Sequence, residues 1–358
     1  MKKILCFIDN LGAGGAQRQI VYLACLLKRK GYAVKIITYQ EASFYSQILD
    51  EQGICNEYIK LAEHKLLRFF YIKRAINRYA PDCVIAYLDT PCIIACLLKL
   101  VCHCRWKLLV SERNTTQVLT LMERLKFFLY RTADWIIPNS YTQTNFIKGH
   151  YPNLSSKIYP IINLVDLDKF QPSNNKQSSD KTRIIVVASI WASKNTKGFI
   201  LAINELVKRG YEKFHVSWYG LANTPYCSDC VAMIKSYKLE DFISLVPKER
   251  NIELRYQQSD WFCLPSYYEG TPNVICEAMA CGLPIICSNV CDNGHYVNAS
   301  NGFLFDPTSI SNIADILSRA LEVDNYTRVQ MGLKSREIAQ NMFSATRFIS
   351  SYCEVIEN

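Results

Sequence analysis

The sequence contains no run of apolar residues long enough to cross a membrane. Its most apolar helical pattern, at 92–101, covers about ten residues and is interrupted by Lys99, whereas a spanning helix needs about 20. The first residues also lack the long apolar core and the cleavage site of a signal peptide. These absences argue against a membrane-spanning or secreted protein, and we expect a cytoplasmic one.

The sequence also lacks the patterns of a disulfide scaffold and of a zinc site. Its 16 cysteines lie mostly inside apolar runs of a 358-residue chain, whereas disulfide-rich domains are small and secreted. The Cys-x-x-Cys motif at 227–230 and the Cys-His-Cys run at 102–104 have metal-like spacing, but neither has a second matching pair. We therefore expect reduced thiols and predict neither a metal nor another cofactor.

The glycine fingerprint of dinucleotide-binding enzymes is missing as well. An apolar strand at 3–8, a Gly-rich turn at 9–15, a helical pattern and a strand at 33–38 predict a βαβ unit. The fingerprint G-x-G-x-x-G would need glycine at position 17, where the chain has Gln17. A dinucleotide enzyme is therefore disfavoured, although the helix N-terminus could still face a phosphate.

Length and pattern predict two α/β domains. A chain of 358 residues suits two domains of roughly 150 to 200 residues, and strands alternate with helices on both sides of a polar run at 173–180. We expect domains at 1–168 and 169–345.

Positive charge is concentrated in the first half of the chain. Residues 1–168 contain 22 Lys and Arg against 13 Asp and Glu, an excess of nine, whereas residues 169–358 contain 19 of each sign. This asymmetry suggests an anionic partner of the first domain, such as a lipid pyrophosphate or the inner face of a membrane. The alternative is a solvated basic surface without such a partner. Nucleic acid is not predicted, because the basic residues are not interleaved with aromatic ones.

The stretch at 264–284 is the strongest candidate for a site. It begins where a buried strand at 261–264 ends, continues through the small residues Gly270, Thr271 and Pro272, and then enters a helical pattern for which Asn273 is the expected N-cap. Such a strand-loop-helix segment offers free backbone N–H groups to a phosphate or a sugar hydroxyl.

Two carboxylates bracket this loop, with seven residues between Glu269 and Glu277. Ionised carboxylates only accept hydrogen bonds, so a separated pair suits two sets of sugar hydroxyls better than a metal or a shared proton. The alternative is that one acid complements the helix dipole and the other is an unrelated surface residue.

The segment P-S-Y-Y-E-G-T-P-N-V-I-C-E-A-M-A-C-G-L-P, with its Glu-x7-Glu spacing, resembles the signature of the retaining nucleotide-sugar glycosyltransferases of family 4. The resemblance implies the GT-B fold, which is two facing Rossmann-like domains with an interdomain cleft, and a last helix at 346–358 that joins the first domain. It also implies that Glu269 lies against the donor sugar, that the amides from Gly270 to Asn273 meet the sugar and phosphates, and that Glu277 holds the ribose.

Two further segments resemble donor-binding parts of that family. Gly14-Gly15-Ala16-Gln17-Arg18 is similar to its G-G-A-x-R loop, which implies donor contacts from Gly14, Gly15 and Arg18.

The second segment follows a strand at 183–188. There the resemblance places a diphosphate-binding lysine at Lys194, with Lys197 as the alternative. The family commonly has an arginine five residues earlier, where this chain has Ser189, and Arg18 or Lys197 could compensate.

Glu112 and Arg113 end a predicted strand and are candidates for meeting the acceptor. The alternative is an ordinary salt bridge at a strand end. The family often has a histidine in this region, but His103 is out of register. Asp166 and Asp168 have metal-like spacing, yet they lie just before the polar run, as in the family's interdomain segment.

The function implied by the resemblance is retaining transfer of a hexosyl or N-acetylhexosaminyl group in the synthesis of bacterial surface polysaccharide. The donor would be a UDP-sugar in preference to a GDP-sugar, and the acceptor a saccharide or a polyprenyl-diphosphate-linked saccharide met at the inner face of the membrane. A sugar-nucleotide epimerase or phosphorylase, or a noncatalytic nucleotide-binding subunit, remains as an alternative.

Overall fold

The chain forms two compact units. The computed structural model describes residues 1–102, 104–116, 118–173 and 175–358. The first unit comprises Met1–Leu164 and Ala345–Asn358, and the second comprises Val165–Ser344. The division thus falls four residues before position 168, and the described part of the polar run at 173–180 belongs to the second unit.

Six parallel strands form the sheet of the first unit. They are β1 (Lys3–Phe7), β2 (Ala33–Thr38), β3 (Cys55–Tyr58), β4 (Cys83–Tyr87), β5 (Lys107–Glu112) and β6 (Trp135–Pro138). Their order across the sheet is β3-β2-β1-β4-β5-β6. The order reverses between β1 and β4, which makes this a doubly wound α/β sheet.

Helices cover both faces of this sheet. They are α1 (Gly15–Arg29), α2 (Ser46–Glu51), α3 (Lys65–Tyr79), α4 (Asp89–Cys102), α5 (Leu121–Leu129) and α6 (Tyr141–His150). Ile72 of α3, Ala95 of α4 and Phe127 of α5 are buried in one apolar cluster, whereas Ile20 of α1 belongs to the cluster on the opposite face. Helices α3, α4 and α5 therefore form one layer.

The second unit repeats this plan. Its strands are β7 (Thr182–Val187), β8 (Phe214–Leu221), β9 (Ile243–Pro247), β10 (Trp261–Leu264), β11 (Ile285–Ser288) and β12 (Gly302–Phe305). All pairs are parallel, and the order is β12-β11-β10-β7-β8-β9. Here the order reverses between β7 and β10.

The helices of the second unit are α7 (Thr196–Lys208), α8 (Pro225–Ser236), α9 (Ile252–Gln257), α10 (Asn273–Ala280), α11 (Asn293–Tyr296), α12 (Ile310–Glu322) and α13 (Asn325–Met342). The last helix, α14 (Ala345–Glu357), belongs to the first unit. It packs against α1 and buries Phe348, Ile349 and Tyr352 in the cluster that contains Ile20.

Most predicted strands have the expected bounds within one residue, because each is a continuous apolar run. The prediction had no strand at Cys55–Tyr58, which is an edge strand of mixed polarity. It also had no strand at Ile243–Pro247, which forms β9 at an edge of the second sheet. Helix α7 begins at Thr196, because Asn195 adopts a left-handed conformation and ends the preceding turn.

The cysteines are buried components of the core in most cases. All sixteen are free thiols, and Cys227 and Cys230 lie on α8 in the apolar cluster of the second unit. His103 of the Cys-His-Cys run lies outside the described residues.

No group of three or more potential metal ligands occurs in the described part of the chain. None of the described helices is both long and apolar enough to cross a membrane.

Gly332 allows α13 to approach the turn that follows α10. A Cβ atom at this position would lie 2.2 Å from the backbone oxygen of Gly282. The added Cβ is fixed by the helix backbone, and the oxygen that it would meet belongs to the backbone of Gly282. A change of side-chain rotamer therefore cannot relieve the clash. Gly282 itself has a φ of +75°, which favours glycine. The close approach helps to fix α10, which carries Glu277.

We predict that Gly332→Ala destabilises the protein by about 1 to 3 kcal/mol, because overpacking outweighs the better helix propensity of alanine. Thermal unfolding followed by circular dichroism measures the change. Gly149→Ala in α6 is the matched control, since no atom lies within 4 Å of its added Cβ, and we expect it to be neutral or stabilising by up to about 1 kcal/mol. A Gly332→Ala protein as stable as the wild type would contradict this packing argument.

Candidate functional site

The predicted donor-site residues of the second unit follow the two strands at which its sheet changes direction. Strands β7 and β10 are hydrogen-bonded neighbours, with Ile185 opposite Phe262. Lys194 comes after β7 and Glu269 after β10. Because all strands are parallel, both residues lie at the carboxyl edge of the sheet. Ligands of open α/β sheets bind at this position.

An ion pair joins these two loops. The Nζ atom of Lys194 lies 2.5 Å from Oε1 of Glu269, and the side chains are only 26% and 11% exposed. The hydroxyl of Ser266 donates a second hydrogen bond to the same Oε1 at 2.5 Å. The backbone N–H of Tyr267 also donates to the carbonyl of Ser193 at 2.9 Å. The site therefore presents a lysine and a glutamate in fixed positions.

Two residues that the sequence did not indicate support these loops. Cys291, after β11, accepts a hydrogen bond from the N–H of Glu269 and has a φ of +49°. Burial raises the pKa of this thiol, and the N–H of Glu269 opposes the shift. Asn195 donates from Nδ2 to the carbonyl of Pro307 at 2.8 Å, which ties the β7 loop to the segment after β12.

The start of α10 differs slightly from the prediction. Pro272 occupies the N-cap with φ −73° and ψ 104°, and Asn273 is the first helical residue. The fixed φ of proline suits either position, whereas its extended ψ belongs outside the helix. Thr271 is buried and hydrogen-bonds to the hydroxyl of Tyr296, while Gly270 stays partly exposed in the loop.

Glu277 lies inside α10 and is only 4% exposed. The hydroxyl of Tyr256 donates to its Oε2 at 3.4 Å. The thiol of Cys281, one turn later, has a raised pKa because it is buried and, secondarily, because it lies near the Glu277 carboxylate. The Glu277 side chain is thus buried within α10 and hydrogen-bonded by Tyr256.

A cavity of about 480 Å³ opens at the same edge of the sheet. It is lined by Tyr267 and by the segments that follow β11 and β12. Another cavity, of about 440 Å³, lies at the opposite, amino edge around Asp260. The carboxylate of Asp260 accepts from Lys176 and from Arg183, and these bonds outweigh burial and lower its pKa. This second cavity is lined by ion pairs that hold the segment preceding β7.

Lys197 pairs with a different carboxylate of the second unit. Its Nζ atom lies 2.8 Å from Oδ2 of Asp229 on α8, with both side chains exposed. Its pKa is raised by this hydrogen bond.

Asp166 is one of the two aspartates with metal-like spacing. Its carboxylate accepts the backbone N–H groups of Asp168 and Lys169 and so caps its own turn.

In the first unit, Gly14 and Gly15 lie at the start of α1. Gly14 is the N-cap and accepts from the N–H of Arg18 at 3.0 Å. The side-chain amide of Gln17 folds back over Gly14 and donates to Asp9 at 3.2 Å. Gln17 therefore occupies space that a glycine fingerprint would leave open.

Glu112 is buried within a polar network of the first unit. It is only 1% exposed, accepts from Lys126 at 3.1 Å and from Gln143 at 3.3 Å, and is also hydrogen-bonded by Tyr130. Burial raises the pKa of its carboxyl, and Lys126 opposes that shift. This geometry supports the structural alternative for Glu112, although its partner is Lys126 and not Arg113.

Arg113 is surrounded by a different set of residues. It donates to Asn163 at 2.7 Å and to the hydroxyl of Tyr352 on α14 at 2.9 Å, and its guanidinium stacks on Tyr87 at 3.9 Å from the ring centre. These contacts fasten α14 to the sheet. They do not bring Arg113 into contact with Glu112.

Two family models match consecutive parts of the chain. The model described as Glycosyltransferase Family 4 matches residues 13–169, and the one described as Glycosyl transferases group 1 matches residues 168–338. Together the two models cover most of both units.

Relatives and solved structures agree with this match. An uncharacterized glycosyltransferase of Haemophilus influenzae is 24% identical and covers 95% of this chain and 96% of its own. The N-acetylgalactosamine-N,N'-diacetylbacillosaminyl-diphospho-undecaprenol 4-alpha-N-acetylgalactosaminyltransferase of Campylobacter jejuni is also 24% identical, with 94% and 90% covered. The crystal structure of Anabaena HepE in complex with UDP and glucose has a TM-score of 0.85 at 17% identity, with 100% of both chains covered.

The network around Glu112 yields a prediction about stability. Lys126→Met leaves a buried carboxylate without its cation, so we expect a loss of about 3 to 5 kcal/mol near pH 7. The raised pKa means that the folded state favours the protonated carboxyl. The contribution of Glu112 to stability therefore falls as pH rises. The stability lost in Lys126→Met should accordingly be smaller near pH 5 than near pH 7. Urea unfolding at both pH values measures this.

The double variant Lys126→Met with Glu112→Gln is the matched control for that experiment. It removes both charges and keeps Tyr130 and Gln143 as partners, so it should recover much of the lost stability. A single variant that loses less than about 1 kcal/mol would mean that the pair behaves like an exposed salt bridge.

Proposed function

This chain belongs to the family 4 glycosyltransferases and has the GT-B fold, and on that basis we propose that it transfers a sugar from a nucleotide diphosphate donor to a saccharide acceptor. Both halves of the chain match glycosyltransferase family models, and each unit is a doubly wound α/β sheet. The ion pair between Lys194 and Glu269 at the sheet reversal carries the proposal. We assign the donor to this edge of the second unit.

Lys194 is the proposed partner of the donor diphosphate. When the bond between the sugar and the phosphate breaks, negative charge grows on the phosphate oxygens, and a fixed cation stabilises that charge. The same ammonium is paired with Glu269. The diphosphate must therefore compete with Glu269 for Lys194, which leaves the carboxylate available to the sugar.

Glu269 is the proposed residue beside the sugar. Its carboxylate accepts a hydrogen bond from Ser266, and we assign it orientation of the sugar and stabilisation of oxocarbenium charge, not nucleophilic attack. We propose that the anomeric configuration is retained: the acceptor oxygen bonds to the anomeric carbon on the face that the phosphate leaves, and the departing phosphate takes the acceptor's proton. The resemblance of 265–284 to the retaining signature supports this.

Glu277 is the proposed ribose anchor. A buried carboxylate accepts hydroxyl hydrogen bonds strongly, because little water competes for it. UDP is the proposed nucleotide, in line with the complex named for HepE. The transferred group is proposed to be a hexosyl or N-acetylhexosaminyl unit.

A lipid-linked saccharide is the proposed acceptor, in the synthesis of bacterial surface polysaccharide. The first unit contains 23 Lys and Arg against 13 Asp and Glu, whereas the second contains 18 against 19. Positive charge on one unit favours an anionic partner. The C. jejuni relative is named for a diphospho-undecaprenol acceptor, and a diphosphate is anionic. The lipid portion of such an acceptor implies that transfer takes place at a membrane surface.

A panel of UDP- and GDP-sugars tests the proposed function. We expect one UDP-sugar to raise the unfolding temperature of the wild type, since a ligand that binds only the folded state stabilises it. Glu277→Ala should lose about 1.5 to 3 kcal/mol of that binding. Product analysis with labelled donor separates transfer from epimerisation or phosphorolysis. Binding without any turnover would instead favour a noncatalytic nucleotide-binding subunit.

The two candidate lysines provide a matched pair of variants. Lys194→Ala should lower kcat/KM for the donor by about a hundredfold or more, because charge grows beside it in the transition state. Lys197→Ala should keep near-wild-type activity, since Lys197 pairs with Asp229. Steady-state kinetics with the donor found in the panel measures both. The reverse result would move the diphosphate contact to Lys197.

A further inference from the structure

The cavity at the amino edge of the second sheet lies opposite the edge to which we assign the donor. Its walls include Arg183 near the start of β7, Asp260 just before β10 and Pro284 just before β11. Residues 176–180 of the polar run and the first turns of α13 also line it. The cavity is therefore built from several separate segments of one unit.

Positive charge is in excess around this cavity. The lining residues include four cations and two carboxylates, which are Lys176, Lys181, Arg183 and Arg328 against Asp180 and Asp260. The whole unit has 18 Lys and Arg against 19 Asp and Glu. The excess is therefore a local feature of the cavity and does not follow from the composition of the unit.

Three of these cations approach a single buried carboxylate. The Nζ atom of Lys176 lies 2.7 Å from Oδ1 of Asp260, and Nε of Arg183 lies 3.2 Å from Oδ2. Arg328 is more distant, with Nη2 at 3.7 Å from Oδ1. A carboxylate carries one negative charge, so Asp260 can neutralise only one of the three cations.

The remaining repulsion acts on Lys176. Burial lowers the pKa of its ammonium, its hydrogen bond to Asp260 opposes that shift, and the charges of Arg183 and Arg328 lower the pKa further. An anion bound among these side chains would favour their charged forms.

Arg328 and Lys181 have donors suited to such an anion. Nη2 of Arg328 donates to Oδ1 of Asn325 at 2.8 Å and is also the atom nearest Asp260. Both contacts thus involve one nitrogen of a guanidinium that carries five N–H donors in a fork matching phosphate oxygens. The ammonium of Lys181 donates to the backbone carbonyl of Asp241 at 3.4 Å, which is a neutral partner.

We propose that this cavity binds a sugar phosphate, with Arg328 and Lys181 meeting the phosphate monoester. Its volume of about 440 Å³ lies in the range of small-molecule sites and exceeds the needs of a bare phosphate. Ser178, Ser179 and Asn325 line it with hydroxyl and amide groups that suit sugar hydroxyls. None of the described lining residues is aromatic, so a nucleobase would find no ring on which to stack.

This site is separate from the proposed donor site. The two lie at opposite edges of the same sheet, so a sugar phosphate bound at the amino edge does not displace a nucleotide sugar at the carboxyl edge. Binding at the amino edge does not depend on the proposed function.

Equilibrium dialysis with radiolabelled glucose 6-phosphate and inorganic phosphate tests the proposal. We expect saturable binding of glucose 6-phosphate at a single site, tighter than that of phosphate, and no measurable binding of glucose. Lys181→Gln with Arg328→Gln should raise the dissociation constant by about tenfold or more, because charge-assisted hydrogen bonds are lost. Asp260 keeps Lys176 and Arg183 in this variant, and circular dichroism checks that it is folded.

Two control variants accompany this experiment. Lys235 is exposed on α8 and does not line the cavity, so Lys235→Gln removes one charge from the same unit and should bind like the wild type. Lys194→Ala changes the donor edge and should also keep glucose 6-phosphate binding.

Four results would overturn the proposal. A dissociation constant weaker than about 10 mM, or an unchanged affinity in Lys181→Gln with Arg328→Gln, would mean that the cations only hold the segment preceding β7. Loss of binding in Lys194→Ala would place the phosphate at the donor edge. Equal affinity for phosphate and glucose 6-phosphate would reduce the ligand to a bare anion.

Failure of this site is distinguishable from failure of the proposed function. Dialysis with glucose 6-phosphate needs no nucleotide sugar and no turnover. If both proposals are right, Lys181→Gln with Arg328→Gln keeps the wild-type thermal shift with the UDP-sugar while its affinity for glucose 6-phosphate falls.

Discussion

The 2.5 Å contact between Lys194 and Glu269 joins loops that follow two different strands, and the arrangement of the second unit depends on bringing those loops together. Parallel strands place all their carboxyl ends at one edge, and the reversal between β7 and β10 leaves a gap there in which neither crossover helix covers the sheet. Other bonds converge on the same two loops, from Ser266, Cys291 and Asn195. The ion pair contributes little net stability, since desolvation offsets much of the attraction. It holds two opposite charges in fixed positions at this edge.

Much of this edge could be predicted from the sequence. Continuous apolar runs located the central strands, and the residues after β7 and β10 had to share an edge once those strands were parallel. The supporting residues could not be found in this way. Cys291 accepts the N–H of Glu269 only because the loop after β11 folds back on its neighbour, and no local pattern encodes that path. Glu112 posed a related difficulty: a carboxylate at a strand end looks the same in sequence whether it faces a ligand or, as here, a buried lysine from α5.

The two units share a topology but differ in how they use charge. In the second unit, cations and carboxylates are paired locally, as at Asp260 and at Asp229, and the charges nearly balance. The first unit has a deeply buried lysine network around Glu112 and many exposed basic residues. The same scaffold thus presents one nearly neutral surface and one positive surface. Fold alone does not determine what either surface binds.

Helix α14 has a consequence for how the protein is made. Its residues Phe348, Ile349 and Tyr352 complete the core of the first unit, yet they are translated only after all of the second unit. A ribosome that adds about 5 to 20 residues per second therefore finishes the contiguous second unit while the first still lacks one wall of its core. The usual order, in which the N-terminal domain matures first, is reversed. Until α14 arrives, the nascent first unit exposes apolar surface on α1, which is the kind of surface that chaperones bind.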